Sequence, residues 1–159
     1  IAFGGWAQEL WYSNYRIGLS YSHLNKLVEA VYYWLEAYHV CPERIENLYE
    51  IMKHYSYSSK QKISKIFYDL AVSTLSKNHN RDNFLFLQND IYTYKLYYEY
   101  MVLAYYIQIR DINDELILVL NNCNNSQTLN STLSNYKFYK TILTPLELHD
   151  FNNNYLNYY

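Results

Sequence analysis

The stretch NYRIGLSYSHLNKLVEAVYYWLEAYHVCP, residues 14–42, decides the fold. Small residues fall at Gly18, Ala30 and Ala37, and bulky ones at Tyr21 and Trp34. Apolar side chains recur every three or four residues on either side of a short polar gap, which reads as two helices joined by a turn. Pro42 marks where the second helix must stop, because proline is tolerated in a first turn and not inside. Small residues at facing positions let two helices approach closely, and the large aromatics fill the space to a neighbouring pair. Moving 34 residues along the chain gives Leu48, Ile51-Met52, Tyr55, Ser64, Tyr68, Ala71 and Ser76. Size classes survive this shift, although Gly18 becomes Met52 and Pro42 becomes Ser76.

These spacings match the tetratricopeptide signature, in which W-x2-L-G-x2-Y is followed by A-x3-F and then P over 34 residues. Only the leading aromatic is replaced, by Asn14. A third unit is anchored at Tyr100, Leu103-Ala104 and Ile107, with Leu116 and Leu120 after them. Reaching it needs about 18 extra residues, which the KNHNRDNFLFLQND segment supplies.

Outward from this core, helices are expected at Trp6 to Ser20, His23 to Val40, Glu43 to Tyr55 and Gln61 to Ser76. Phe84-Leu85-Phe86-Leu87 reads as an extended piece pinned to the core. Asp90 is the expected cap of a helix over Ile91–Ile109, and Asp111 of one over Ile112–Asn121. A final helix over Leu129–Ile142 halts near Pro145. Strand alternation is nowhere sustained. The expectation is an all-α, tetratricopeptide-like right-handed solenoid of about three antiparallel helix pairs plus a C-terminal capping helix. A single domain over residues 1–149 is followed by a tail at 150–159. The start at Ile1, in mid-pattern at Gly4-Gly5-Trp6, reads as that of a segment excised from a longer protein.

Composition removes several classes of function. The chain has 159 residues, enough for one packed domain, and its 50% hydrophobic and 18% charged content is globular. With 13 basic and 15 acidic residues spread along it, there is no basic stripe to track a phosphate backbone, so no nucleic acid is expected. No apolar run approaches the length of a membrane span. Cys41 and Cys123 lack metal spacing and read as reduced thiols, giving a cytoplasmic expectation. The 22 tyrosines and the Asn runs use AT-rich codons, so genome composition competes with function as their origin.

The phrases GGWAQELWYSNYRIGLSY, EAYHVCPERIENLYEIMKHY, LFLQNDIYTYKLYYEYMVLAYY and LSNYKFYK occur in this order over about residues 3–140. Together they resemble the tetratricopeptide-like helical region that accompanies family 2 glycosyltransferases in bacteria and large DNA viruses. The resemblance implies a region lying beside a catalytic domain that transfers sugar from a nucleotide sugar. That catalytic part normally carries an Asp-x-Asp motif for a metal and the sugar diphosphate, and no Asp-x-Asp occurs in this sequence. The implied activity therefore belongs to a parent protein and not to these residues. The expected partners are a protein or glycan acceptor or an adjacent catalytic domain, with a homo-oligomer as a further option. No cofactor is expected in this segment.

Few motifs carry chemistry of their own. Glu36-Ala37-Tyr38-His39 has the Glu-x-x-His spacing of di-iron bundles, which require two such motifs plus two more glutamates. Glu50 and His54 read as a surface pair, and His39 with Cys41 as packing at a helix end. No catalytic or metal residue is assigned. A repeat phase that turns the first helix of each pair toward a concave groove places Tyr12, Tyr15, Glu46, Tyr49 and Lys53 there. The third pair adds Tyr98 and Tyr105. Tyrosine combines a flat apolar face with a hydroxyl, which suits peptide or sugar binding, while the same spacing also suits plain core packing.

Overall fold

A computed structural model describes residues 5–78, 80–109 and 111–139, and the regular elements among them are all helical. The chain divides into two compact units, Ile1–Tyr92 and Thr93–Tyr159.

The first unit holds α1 (Gly5–His23), α2 (Leu27–Val40), α3 (Glu46–Tyr57) and α4 (Gln61–Lys77). They pack as two hairpins, α1 on α2 and α3 on α4, with α2 also against α3. Each hairpin turns on one left-handed residue, Asn25 (φ 58°) and Ser59 (φ 59°), 34 positions apart. The closing bonds recur with the same spacing. Lys26 N–H donates to the Tyr21 carbonyl, and Lys60 N–H to that of Tyr55, both at 2.9 Å. This is the left-handed helix terminus in which a residue beyond the end satisfies an orphan carbonyl five positions back. Side-chain caps are absent at the starts of α2, α3 and α4, so these C-terminal turns define the hairpins.

The core gathers Trp11, Tyr15, Ala30, Trp34, Ala37, Cys41 and Ile51, with Tyr55 and Phe67 packed against it. Gly18 is the point of closest approach: a Cβ there would overlap the Trp34 indole, lying 2.5 Å from its Cδ1. In the second hairpin Met52 stands at the place of Gly18 and Ser64 at that of Ala30. The Ser64 hydroxyl donates to the Met52 carbonyl at 2.8 Å, so close approach survives there as a buried hydrogen bond.

Several expected boundaries move. Helix α2 begins at Leu27, not His23, because Leu24–Lys26 form the turn. Helix α3 begins at Glu46, not Glu43, and exposed Pro42 lies in the preceding turn. The Phe84–Leu87 run is not extended. It turns at Leu85-Phe86, with Phe86 left-handed at φ 56°. Asp90 Oδ1 accepts from the adjoining Ile91 N–H at 3.0 Å.

A π-helical turn, Ile91–Lys95, leads into α5 (Leu96–Tyr106), followed by α6 (Asn113–Asn122) and α7 (Ser126–Tyr139). In the second unit α5 packs on α6, burying Tyr100, Met101, Leu103 and Ala104 with Leu116, Val119 and Leu120. The turn after α5 repeats the earlier geometry: Gln108 is left-handed (φ 60°), and Ile109 N–H donates to the Ala104 carbonyl at 2.9 Å. The place held by Tyr21 and Tyr55 is thus taken by Ala104, three residues ahead of the expected Ile107. The physical reason is that α5 is apolar almost all round, so its periodicity fixes no phase. Ile112, not Asp111, occupies the cap position of α6 and makes no side-chain cap bond. Helix α7 starts three residues before the expected Leu129. Pro145, Ile142 and the 150–159 tail lie outside the described residues. No helix among the described residues is long and apolar enough to cross a membrane.

Candidate functional site

The residues assigned to a groove from sequence separate into buried and accessible groups. In the first unit Glu46 is wholly buried and is not a groove side chain. Its carboxylate takes two bonds from Arg44, Nη2 to Oε1 at 2.6 Å and Nε to Oε2 at 3.3 Å. Arg44 is equally buried and also donates through Nη1 to Gln8 Oε1 (2.7 Å) and the Leu85 carbonyl (2.8 Å). Its guanidinium lies 3.5 Å from the Trp11 ring centroid, a direct cation–π stack. The Tyr92 hydroxyl donates to Glu46 Oε2 at 2.6 Å and accepts from Ile45 N–H at 3.3 Å. Burial beside the Glu46 carboxylate pushes the Tyr92 phenol far above its ordinary range. Such a group donates and does not ionise.

Tyr15 is likewise interior, stacked on Trp11 at 5.0 Å, and its hydroxyl accepts from Gln88 Nε2 at 2.8 Å. Tyr12 stacks on Phe86 at 4.3 Å. The 84–88 segment therefore lies across α1 as a strap. It contributes a carbonyl to Arg44, an amide to Tyr15 and a ring to Tyr12. Tyr49 is buried, with the Lys53 ammonium over its ring at 4.9 Å. Lys53 is half-exposed and pairs with Glu50 at 3.0 Å, which replaces the Glu50–His54 pair expected from sequence. His54 rests on the Tyr55 ring instead, and burial lowers its pKa, aided by Lys60. Among the described residues no three His, Cys, Asp or Glu side chains converge as a metal site.

Cys41 shows how thoroughly this interior excludes water. Its thiol donates to the Ala7 carbonyl (3.6 Å), and burial pushes it up to about 11, with Glu43 adding to the shift. Since the thiolate is the reacting form, Cys41 is expected to resist iodoacetamide at pH 8 while partly exposed Cys123 is alkylated. Mass spectrometry of native and urea-unfolded protein checks this. Equal labelling rates in the native state would refute it.

The second unit keeps its two assigned tyrosines accessible. Tyr98 faces α7 across an open cleft of about 540 Å³. The opposite wall is made by Ser126, Asn130 and Ser134, and by Gln127, Ser131 and Asn135. These are two rows at four-residue spacing, which an α-helix brings onto one side. Among the described residues every lining side chain is neutral and hydrogen-bonding. A second cleft of about 260 Å³ shares Asn135 with the first and is lined by Val102, Tyr105, Tyr106 and Phe138. Tyr105 stands 57% exposed, edge-on to Tyr106 and 5.4 Å from the Phe138 ring. Tyr98, Val102 and Tyr105 occupy successive turns of α5, so the two clefts run along one side of that helix.

Sequence reasoning missed Arg44 and Tyr92, which organise the first unit, and the whole neutral face of α7. The α7 signal was present as hydroxyl and amide residues repeating every four positions. Comparison with family models, curated proteins and solved structures finds no match to this chain.

Proposed function

We propose that the chain is a non-catalytic helical-repeat module of a family 2 glycosyltransferase, binding and positioning an acceptor or partner beside the catalytic domain. The observation that carries the repeat part is the recurrence of one hairpin closure at Asn25 and Ser59, 34 residues apart. A stacked, tetratricopeptide-like arrangement of such hairpins follows as part of the proposal. The transferase association rests on the resemblance of the four ordered phrases, and the binding role on the accessible clefts of the second unit. The reading frame upstream of Ile1 tests the association. It is expected to encode a nucleotide-sugar domain with Asp-x-Asp, and further helical repeats alone would overturn the reading. Calorimetry of this chain with nucleotide sugars and manganese is expected to show no binding, and a micromolar Kd would place catalysis within these residues instead.

A second reading is a stand-alone assembly scaffold with no transferase attached. What favours it is the first unit, where the 84–88 strap engages Tyr12 and Tyr15 and the polar groups of Arg44 and Glu46 serve the interior.

A further inference from the structure

We infer that the paired clefts along α5 and α7 form a binding site for an uncharged oligosaccharide. This deepens the acceptor-positioning reading and rests on it for its biological meaning, though the binding chemistry stands on the clefts alone. A sugar hydroxyl both donates and accepts, and so do the amides of Gln127, Asn130 and Asn135 and the serine hydroxyls between them. Among the described side chains that line the two clefts none is charged, so these residues offer a phosphate or carboxylate ligand no countercharge. A neutral polyol requires none, and the hydration its hydroxyls give up is replaced by hydrogen bonds to these groups. A sugar ring also presents a face of C–H groups, which seats on an aromatic ring. Tyr98 supplies such a ring in the polar cleft, and Tyr105 with Phe138 supplies others beyond Asn135. The succession of ring, amide and ring through the two clefts, shared between α5 and α7, matches a linear chain of several sugar units better than a single one. A flat tyrosine is stiff and loses little entropy on contact, so binding here is selective although weak.

The test is saturation-transfer and chemical-shift NMR of the whole chain with neutral gluco-, manno- and N-acetylglucosamine oligosaccharides. Each is presented free and on an asparagine-linked peptide, with a sialylated oligosaccharide and a plain peptide as comparisons. At least one neutral oligosaccharide is expected to bind with a Kd on the order of 0.1–1 mM. Tyr98→Ala and Asn135→Ala are each expected to weaken it about tenfold or more with the thermal melt unchanged, as for an aromatic anchor. Tyr32→Ala, on exposed α2 surface, is expected to leave it unaltered. Equal binding of free and peptide-borne forms identifies an oligosaccharide acceptor, tighter binding of the latter a glycoprotein one, and both support the inference. No transfer at about 10 mM oligosaccharide overturns it. So does affinity that survives both variants, or preference for the sialylated or peptide probe. An Asp-x-Asp domain upstream without sugar binding here would remove this site and leave the module reading standing. Sugar binding without that domain would do the reverse.

Discussion

Replacing Glu46 with alanine is expected to destabilise the first unit by about 3–5 kcal/mol. The substitution leaves the Arg44 guanidinium fully buried with its principal counter-ion gone. Its remaining bonds go to Gln8 and the Leu85 carbonyl, neither of which carries charge. Tyr92 loses its acceptor at the same time, a second buried donor left unmade. Urea denaturation followed by circular dichroism measures the loss. Exchanging both partners for apolar residues, Arg44→Met with Glu46→Leu, removes the stranded charge and is expected to recover most of it. If Glu46→Ala cost under about 1 kcal/mol, the pair would be behaving as a solvated surface bridge, and its buried description would be wrong.

The second large effect concerns Gly18 and Trp34, and the two are expected to be strongly coupled. Trp34→Ala empties a fully packed site and is expected to cost about 3–5 kcal/mol. Gly18→Ala alone sets two terms against each other. Helix propensity favours alanine by about 1 kcal/mol. The new Cβ drives into the indole, and overpacking costs about 1–3 kcal/mol. The indole is rigid and enclosed, so the steric term wins and the single variant is destabilised. With Trp34 already reduced to alanine the clash disappears, and Gly18→Ala is then expected to stabilise by about 1 kcal/mol. A double-mutant cycle by thermal melting reads this reversal of sign. Additive effects within about 0.3 kcal/mol would mean that the two residues do not meet.

Gly18 was readable from sequence because glycine is so scarce in this chain that its place inside a helical pattern demanded a close neighbour. The helix hairpins were readable for a similar reason, since the small and bulky positions recur together at one spacing. What escaped were features fixed by distant residues. The Arg44–Glu46 pair looks like surface charge until Tyr92, Gln8 and Leu85 are brought around it. The hairpin turns escaped because Ser59 and Gln108 sit in a conformation usually signalled by glycine, and only Asn25 gives a hint. Phe84–Leu87 reads as an extended apolar piece, yet its residues are shared between Arg44 and Tyr12, and a turn at Phe86 serves both. In the second unit Tyr98 and Tyr105 were identified by type and spacing, while their partners on α7 were hidden in an Asn- and Ser-rich stretch.

The strap also sets the order in which the first unit can mature during synthesis. Four helices are complete once Lys77 has emerged, but Arg44 and Glu46 then still lack Leu85 and Tyr92. Until those residues leave the ribosome, water must go on solvating the pair, and the interior cannot close. A nascent chain halted at residue 78 is therefore expected to be a hydrated, loosened precursor, and the residues that follow, up to Tyr92, act as the latch that dries it.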